Sequence, residues 1–248
     1  MTTDSDSREL HTTSVDYVVN ALRAIVGPLP IVGPLFSELA GVVVPNQRIE
    51  RIAKFASELE RRLRSLEAAN AITGRLQSDH FADLLEEGVR QASRSLSDER
   101  RQYLAALIVN GLSTQDIEYS ESRHLLRALD QMSDVEVVWL RFYREPTIGG
   151  DEEFRKRHES ILAPAIAALS SSQHEVDKHT LQESYWEHLW QLGMLERRYR
   201  VDIESQEPKF DRDGVQEVAG YAITALGSLL LRQIGLGEAS LPEHAQRP

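Results

Sequence analysis

Residues 46–70 read NQRIERIAKFASELERRLRSLEAAN, and the spacing of their apolar side chains decides the fold class. Ile49, Ile52, Ala56, Leu59, Leu63 and Leu66 recur three and four positions apart, the seam of an amphipathic helix. Charges fill the remaining faces. Glu50–Lys54, Glu58–Arg62 and Glu60–Arg64 stand in the favourable i,i+4 order, acid before base. Asn46 is suited to cap the start. The seam lasts about two and a half heptads, fewer than a coiled coil sustains, so an intramolecular bundle is expected rather than a dimer zipper. Arg61, Arg62 and Arg64 read as a solvated face, because acids are interleaved with them.

The same period continues downstream. A helix is expected over Ser78–Leu96, with Phe81, Leu84, Leu85, Val89 and Ala92 inward, and another over Asp98–Asn110. Gly111 falls where a left-handed C-cap residue belongs. The polar run STQDIEYSES (113–122) reads as a linker, after which helical spacing resumes at Leu125, Leu126, Leu129 and Met132. Ser133 with Glu136 forms a capping-box signature for a helix over Asp134–Arg144. Residues 153–170 and 174–195 read as two further helices, with Pro164 in a first turn. The second carries Leu181, Tyr185, Trp186, Leu189 and Leu192. The period then changes to two: Tyr199, Val201 and Ile203 alternate with Arg200 and Asp202, the pattern of a half-buried strand. Asp211–Gly214 is turn chemistry, Val215–Ile223 supplies the return strand, and Thr224 caps a last helix through Leu226, Leu229, Leu230 and Ile234.

Upstream lies AIVGPLPIVGPLFSELAGVVVP, Ala24–Pro45, whose sole charge is Glu38. A first helix from Ser14 is expected to stop at Gly27-Pro28, because proline disfavours helix in the residue before it. The apolar stretch matches a membrane span in length. Its internal prolines and glycines argue against a continuous spanning helix, since unpaired backbone groups are not tolerated in lipid. The expected role is a turn plus a short helix, Leu35–Val43, buried under later helices. The competing reading is a conditionally exposed, membrane-seeking segment with Ile31, Val32, Leu35 and Phe36 as its contact surface.

The chain of 248 residues is long enough for one or two domains with a real core. The expected organisation is a disordered tail at 1–13, a helical bundle at 14–115, a winged-helix-like module at 120–236 and a flexible tail at 237–248. The fold class is mainly α with one β-hairpin. A net charge of −11 repels nucleic acid and anionic lipid in bulk. The absence of cysteine excludes disulfides, thiolate zinc sites and cysteine nucleophiles. The polar, acidic N-terminus is the opposite of a signal peptide's basic region, and a cytoplasmic location is expected.

Catalytic motifs are not evident. His174 and His179 are five apart, roughly 140° around a helix, and diverge where a zincin pair would converge. The acids of GDEE (150–153) follow one another on a loop, and no glutamate completes a calcium-binding spacing. No nucleophile elbow, Walker loop or dinucleotide fingerprint is present. Neither metal nor cofactor is expected, and the chain reads as a non-enzyme. Arg197, Arg198 and Arg200 fall on the expected wing, where they are candidate phosphate contacts. The preceding helix presents Glu183, Glu187 and His188 with two tryptophans and nothing suited to reading bases, which makes nucleic acid an unfavoured partner.

Four blocks occur in an order that carries a resemblance. They are GPLFSELAG (33–41) with RIERIAKF (48–55); DERRQYLAALIVNGL (98–112); RHLLRALDQMSDVEVVWL (123–140); and LWQLGMLERR (189–198) with YAITALGSLLLRQI (221–234). The chain resembles the bacterial abortive infection alpha family, a group associated with phage resistance. That family pairs an all-helical N-terminal part with a C-terminal "LxxLGLI … Y-x-lT-xLG" segment. Here the LGLI position reads Leu192-Gly193-Met194-Leu195, and the doubled Gly-Pro before residue 35 departs from the family pattern. The resemblance implies a phage-defence or stress-response protein; action through a protein partner is expected, with conditional membrane contact by the Gly/Pro stretch. Self-association into a homo-oligomer is compatible with it. The alternative is a winged-helix DNA-binding regulator.

Overall fold

A computed structural model describes residues 46–67, 75–76, 78–113, 119–146, 150–165, 168, 171–202 and 207–237. The expected first helix, the Gly/Pro segment 24–45 with Ile31, Val32, Leu35 and Phe36, and the tails at 1–13 and 238–248 lie outside the described residues. The protein is mainly α. Among the described residues, nine helices accompany one two-stranded antiparallel sheet.

Four helices form the first of two compact units, which takes in the described residues up to Asp130 together with Gln233–Gly235. They are α1 (Asn46–Glu67), α2 (Asp79–Arg94), α3 (Asp98–Ser113) and α4 (Tyr119–Gln131). The seam read from α1 is buried at Ile49, Ile52, Ala56, Leu59 and Leu63, joined by Phe55. All three expected i,i+4 ion pairs of α1 form. α2 begins at its Ser78 cap, whose hydroxyl accepts the Phe81 N–H, and buries the five residues expected inward. A run of six residues in α3, Leu104 to Val109, is buried. The helix contacts are close enough to need glycine: a Cβ on Gly88 would sit 2.4 Å from Ile108 Cδ1 and 3.2 Å from Phe55 Cζ.

Two local expectations fail here. Gly111 is not a left-handed cap but an interior residue of α3, which runs on to Ser113. A Cβ there would meet Ser122 Oγ at 2.6 Å, so this glycine serves close packing. Residues Tyr119–Ser122, expected in a linker, form the first turn of α4. Two buried side chains tie α4 to its neighbours: Gln91 Nε2 donates to the Leu126 carbonyl at 3.1 Å, and Arg100 Nη1 to the Leu129 carbonyl at 2.7 Å.

The second unit comprises Gln131–Arg232 and the residues from Leu236 onward. It contains α5 (Asp134–Arg144), α6 (Glu152–Arg157), α7 (Glu159–Leu162), α8 (Gln173–Gln191), β1 (Leu195–Tyr199), β2 (Val218–Ile223) and α9 (Ala225–Gln233). α5 has the expected bounds and its full capping box. Of the helix expected over 153–170, with a restart at Pro164, the described residues form two short pieces, the second ending at Leu162. Pro164 explains the stop, since it forces Ala163 to an extended ψ of 121°. Gln182, rather than Leu181, faces inward from α8. Its amide accepts the Ala165 N–H at 3.0 Å and donates to the Ala163 carbonyl at 2.9 Å, pinning the chain after α7.

The strand also starts earlier than alternation suggests. β1 is Leu195–Tyr199, four residues upstream of the expected start, and α8 stops correspondingly early. β1 and β2 pair antiparallel, Leu195 opposite Ile223 and Arg198 opposite Gly220, with a bulge between Arg198 and Tyr199. The hairpin continues as isolated bridges, Val201 with Pro208 and Phe210 with Gln216. The Asp211–Gly214 turn is as expected: Gly214 has φ +76°, and the Asp211 carboxylate accepts the N–H groups of Asp213 and Val215.

Candidate interaction site

The hairpin of the second unit is held by a joint that the sequence motifs themselves form. α8 ends in a Schellman arrangement. Gly193, at φ +72°, sends its N–H to the Trp190 carbonyl, and Met194 sends its own to Leu189, both at 2.9 Å. The Thr224 hydroxyl lies 2.7 Å from the Gly193 carbonyl, to which it donates, and accepts the Gly227 N–H at 3.0 Å as the cap of α9. A Cβ on Gly227 would stand 2.4 Å from the Met194 carbonyl oxygen. The Leu192–Leu195 and Tyr221–Gly227 blocks are thus two halves of one joint that sets where the hairpin leaves the helices.

Behind the hairpin lies an aromatic array. Trp139 of α5 meets Trp186 of α8 edge-on, at 5.2 Å and 88° between rings, and Trp186 lies 6.0 Å from Tyr221 of β2. Tyr143 packs beside Tyr221, and burial pushes its hydroxyl well above the ordinary tyrosine range. The two indole N–H groups are buried without a hydrogen-bond partner. Nearby, Glu136 serves twice: one carboxylate oxygen accepts the Ser133 N–H at 2.6 Å, and the other lies 2.5 Å from His188 Nδ1. The side chain of Glu136 is buried, so these partners replace its lost hydration.

The three wing arginines part company. Arg197 is paired with Glu187, which raises its pKa, and its guanidinium lies 3.7 Å over the Trp190 ring. It clamps β1 to α8. Arg198 is exposed and has no ion-pair partner among the described residues. Arg200 stands beyond the strand, 3.8 Å from Glu217 on an exposed edge. These positions do not form one phosphate-facing cluster. Acids are also dense here: Glu196, Asp202, Glu207, Asp211, Asp213 and Glu217 share the hairpin.

What the hairpin does present is apolar surface. Tyr199, Val201, Phe210, Val215 and Val218 are all exposed, Phe210 at 58% and Val215 at 62%. They account for five of the eight large hydrophobics exposed among the described residues. These exposed apolar side chains are concentrated on one element.

Other constellations resolve into structure. His174 and His179 sit in the first half of α8, and His179 faces Glu183 at 3.4 Å. Asp151 of the GDEE run caps α6 and pairs with Arg141. Among the described residues, no group of three or more histidine and acidic side chains could hold a metal ion. An open groove of about 520 Å³ between α1 and α3 is lined by Lys54, Glu58, Arg61, Asp98 and Arg101. These charges already pair with one another or with Glu50. A search of protein-family models, curated proteins and solved structures finds no match to this chain.

Proposed function

We propose that this chain is a non-enzymatic bacterial phage-defence or stress-response protein that works in the cytoplasm through protein–protein contacts made by its hairpin. The observation that carries the reading is the concentration of exposed apolar side chains along residues 199–218. The defence context comes from the motif order and its resemblance to the abortive infection alpha family. Conditional membrane engagement through Ile31, Val32, Leu35 and Phe36 is a separate part of the proposal. Among the described residues, no helix is long and apolar enough to cross a membrane.

Plating efficiency and survival of infected cells, with and without the protein, test the reading. Fewer plaques with death of the infected cells is the expected result. The double variant Phe210→Asp, Val215→Asp removes the patch at exposed positions, so circular dichroism should be unchanged while protection is lost. Undiminished protection by that folded variant would overturn the role of the hairpin. Phe36→Asp, assayed with liposomes, tests the membrane part alone.

The order helix, hairpin, helix supports a second reading, a winged-helix DNA-binding regulator. It requires Arg197, Arg198 and Arg200 to track phosphates, and replacing all three with alanine should then weaken a salt-dependent complex. The Arg197–Glu187 clamp and the acids of the hairpin weigh against it.

A further inference from the structure

We propose that the far end of the hairpin is a three-armed platform that docks a partner segment with an apolar centre and basic ends. The inference rests on reading the hairpin as an interaction surface, and it names the chemistry of what is bound. Beyond β1 and β2 the chain forms a junction in which Arg200, Lys209 and Glu217 bond in a ring. Arg200 N–H donates to the Glu217 carbonyl at 2.8 Å, Glu217 N–H to that of Lys209 at 2.8 Å, and Lys209 N–H to that of Arg200 at 3.0 Å. Each residue uses its donor on one neighbour and its acceptor on the other. Three two-stranded arms leave the ring: the stem through the Tyr199–Val218 pair, one arm through Val201–Pro208 and one through Phe210–Gln216. Backbone bonds from Asp202 to Glu207 and from Asp211 to Val215, each 2.8 Å, extend the two outer arms.

Side-chain direction alternates along each arm, and paired residues share a face. The ring residues therefore turn their side chains to one face, where Glu217 pairs with Arg200 and Asp202 with Lys209. The residues flanking the ring turn theirs to the opposite face: Tyr199, Val201, Pro208, Phe210, Gln216 and Val218. All but Gln216 are apolar, and those five are exposed, so the junction presents one continuous apolar face. At the ring the backbone groups are already used, so a partner is held by side chains rather than by strand addition. The charges say which partner fits. Residues 201–208 and 210–216 carry five acids, Asp202, Glu204, Glu207, Asp211 and Asp213, against one base, Arg212. The two bases of the ring are engaged by Glu217 and Asp202. Negative arms beside an apolar face attract a segment with basic ends and repel an acidic one. With a net charge of −11, a second copy or an anionic membrane is a poor match.

Fluorescence anisotropy on the full chain tests this, with short synthetic peptides that share a leucine–phenylalanine centre and end in either lysines or glutamates. The lysine-ended peptide should bind, more weakly as salt is raised, and the glutamate-ended one should not. Phe210→Ser, which changes no charge, and Val201→Asp should each weaken binding roughly tenfold or more, with circular dichroism unchanged. Asp213→Lys should weaken it about threefold or more. Equal binding of both peptides would overturn the inference, since the surface would then select apolarity alone. Tighter binding by Val201→Asp would do the same, as the mark of a cation drawn to bulk charge. A chain that ignores both peptides but binds phosphatidylcholine vesicles would replace the partner segment with a lipid surface. If neither peptide binds yet Phe210→Asp, Val215→Asp abolishes protection, the proposed partner chemistry falls while the interaction reading stands.

Discussion

Glu136 is a carboxylate with almost no solvent contact, and its two oxygens are held by Ser133 and His188. His188→Ala would leave one oxygen without a donor in a buried place. The expected cost is about 1–3 kcal/mol, read as a lower urea midpoint, while His188→Gln, which keeps a donor, should lose less. Gly227 makes a different kind of demand. A Cβ there would stand 2.4 Å from a backbone oxygen that cannot swing aside, so Gly227→Ala should destabilise by about 1–3 kcal/mol. Gly220→Ala, with nothing within 4 Å and no positive φ, is the control expected to be near neutral. The two sites were not equally legible. The Ser133–Glu136 box shows in the sequence because its partners are three residues apart. The His188 contact spans 52 residues, and no local pattern announces it. Phe55 was hidden similarly: it flanks the α1 seam, and the contact that buries it comes from another helix.

At the scale of elements, the long amphipathic helices were readable because a buried face repeats every three or four residues. β1 was not, for a physical reason. Its half-buried Arg197 stands where an apolar side chain would and lies over Trp190, so the position reads as polar and the alternation disappears. Alternation points instead to Tyr199–Ile203, where apolar residues do alternate but Val201 is exposed. A signal for the true boundary did exist. Gly193 is the left-handed residue after α8, and its motif closes the helix two residues before β1. Gly193→Ala should cost about 1–2 kcal/mol purely through backbone strain, since the nearest atom to an added Cβ, Leu226 Cδ2, is 3.8 Å away. Thermal melts of Gly193→Ala and Gly193→Asn would separate strain from packing: asparagine tolerates this conformation and should recover part of the loss.

Across the whole molecule the titrating groups define a stability window with unequal sides. On the acid side, hydrogen bonds hold three carboxylates below their ordinary range: Glu58 by Arg61, Asp98 by Arg101 and Glu175 by the Ser172 N–H. Their stabilisation is present above an unfolded pKa of about 4 and is lost as pH falls through the lowered folded values. Asp98 and Glu175 are exposed, so this limb should be shallow and should flatten further in salt. On the alkaline side, Tyr143 and Tyr221 are raised by burial and Tyr119 chiefly by its hydrogen bond to Asp83. Their neutral forms are favoured by the fold, so their contribution is intact below about pH 10 and falls as pH climbs towards the raised folded values. Two effects overlap there, because a chain with net charge −11 at pH 7 also gains self-repulsion as it deprotonates. Salt distinguishes them. Repulsion among surface charges is screened, whereas the cost of ionising a buried phenol is not. Urea midpoints measured from pH 8 upward should therefore keep falling in high salt, and Tyr143→Phe, which has no proton to lose, should flatten that residual slope. A Tyr143→Phe profile parallel to wild type in high salt would mean that its hydroxyl ionises as freely in the folded chain as in the unfolded one.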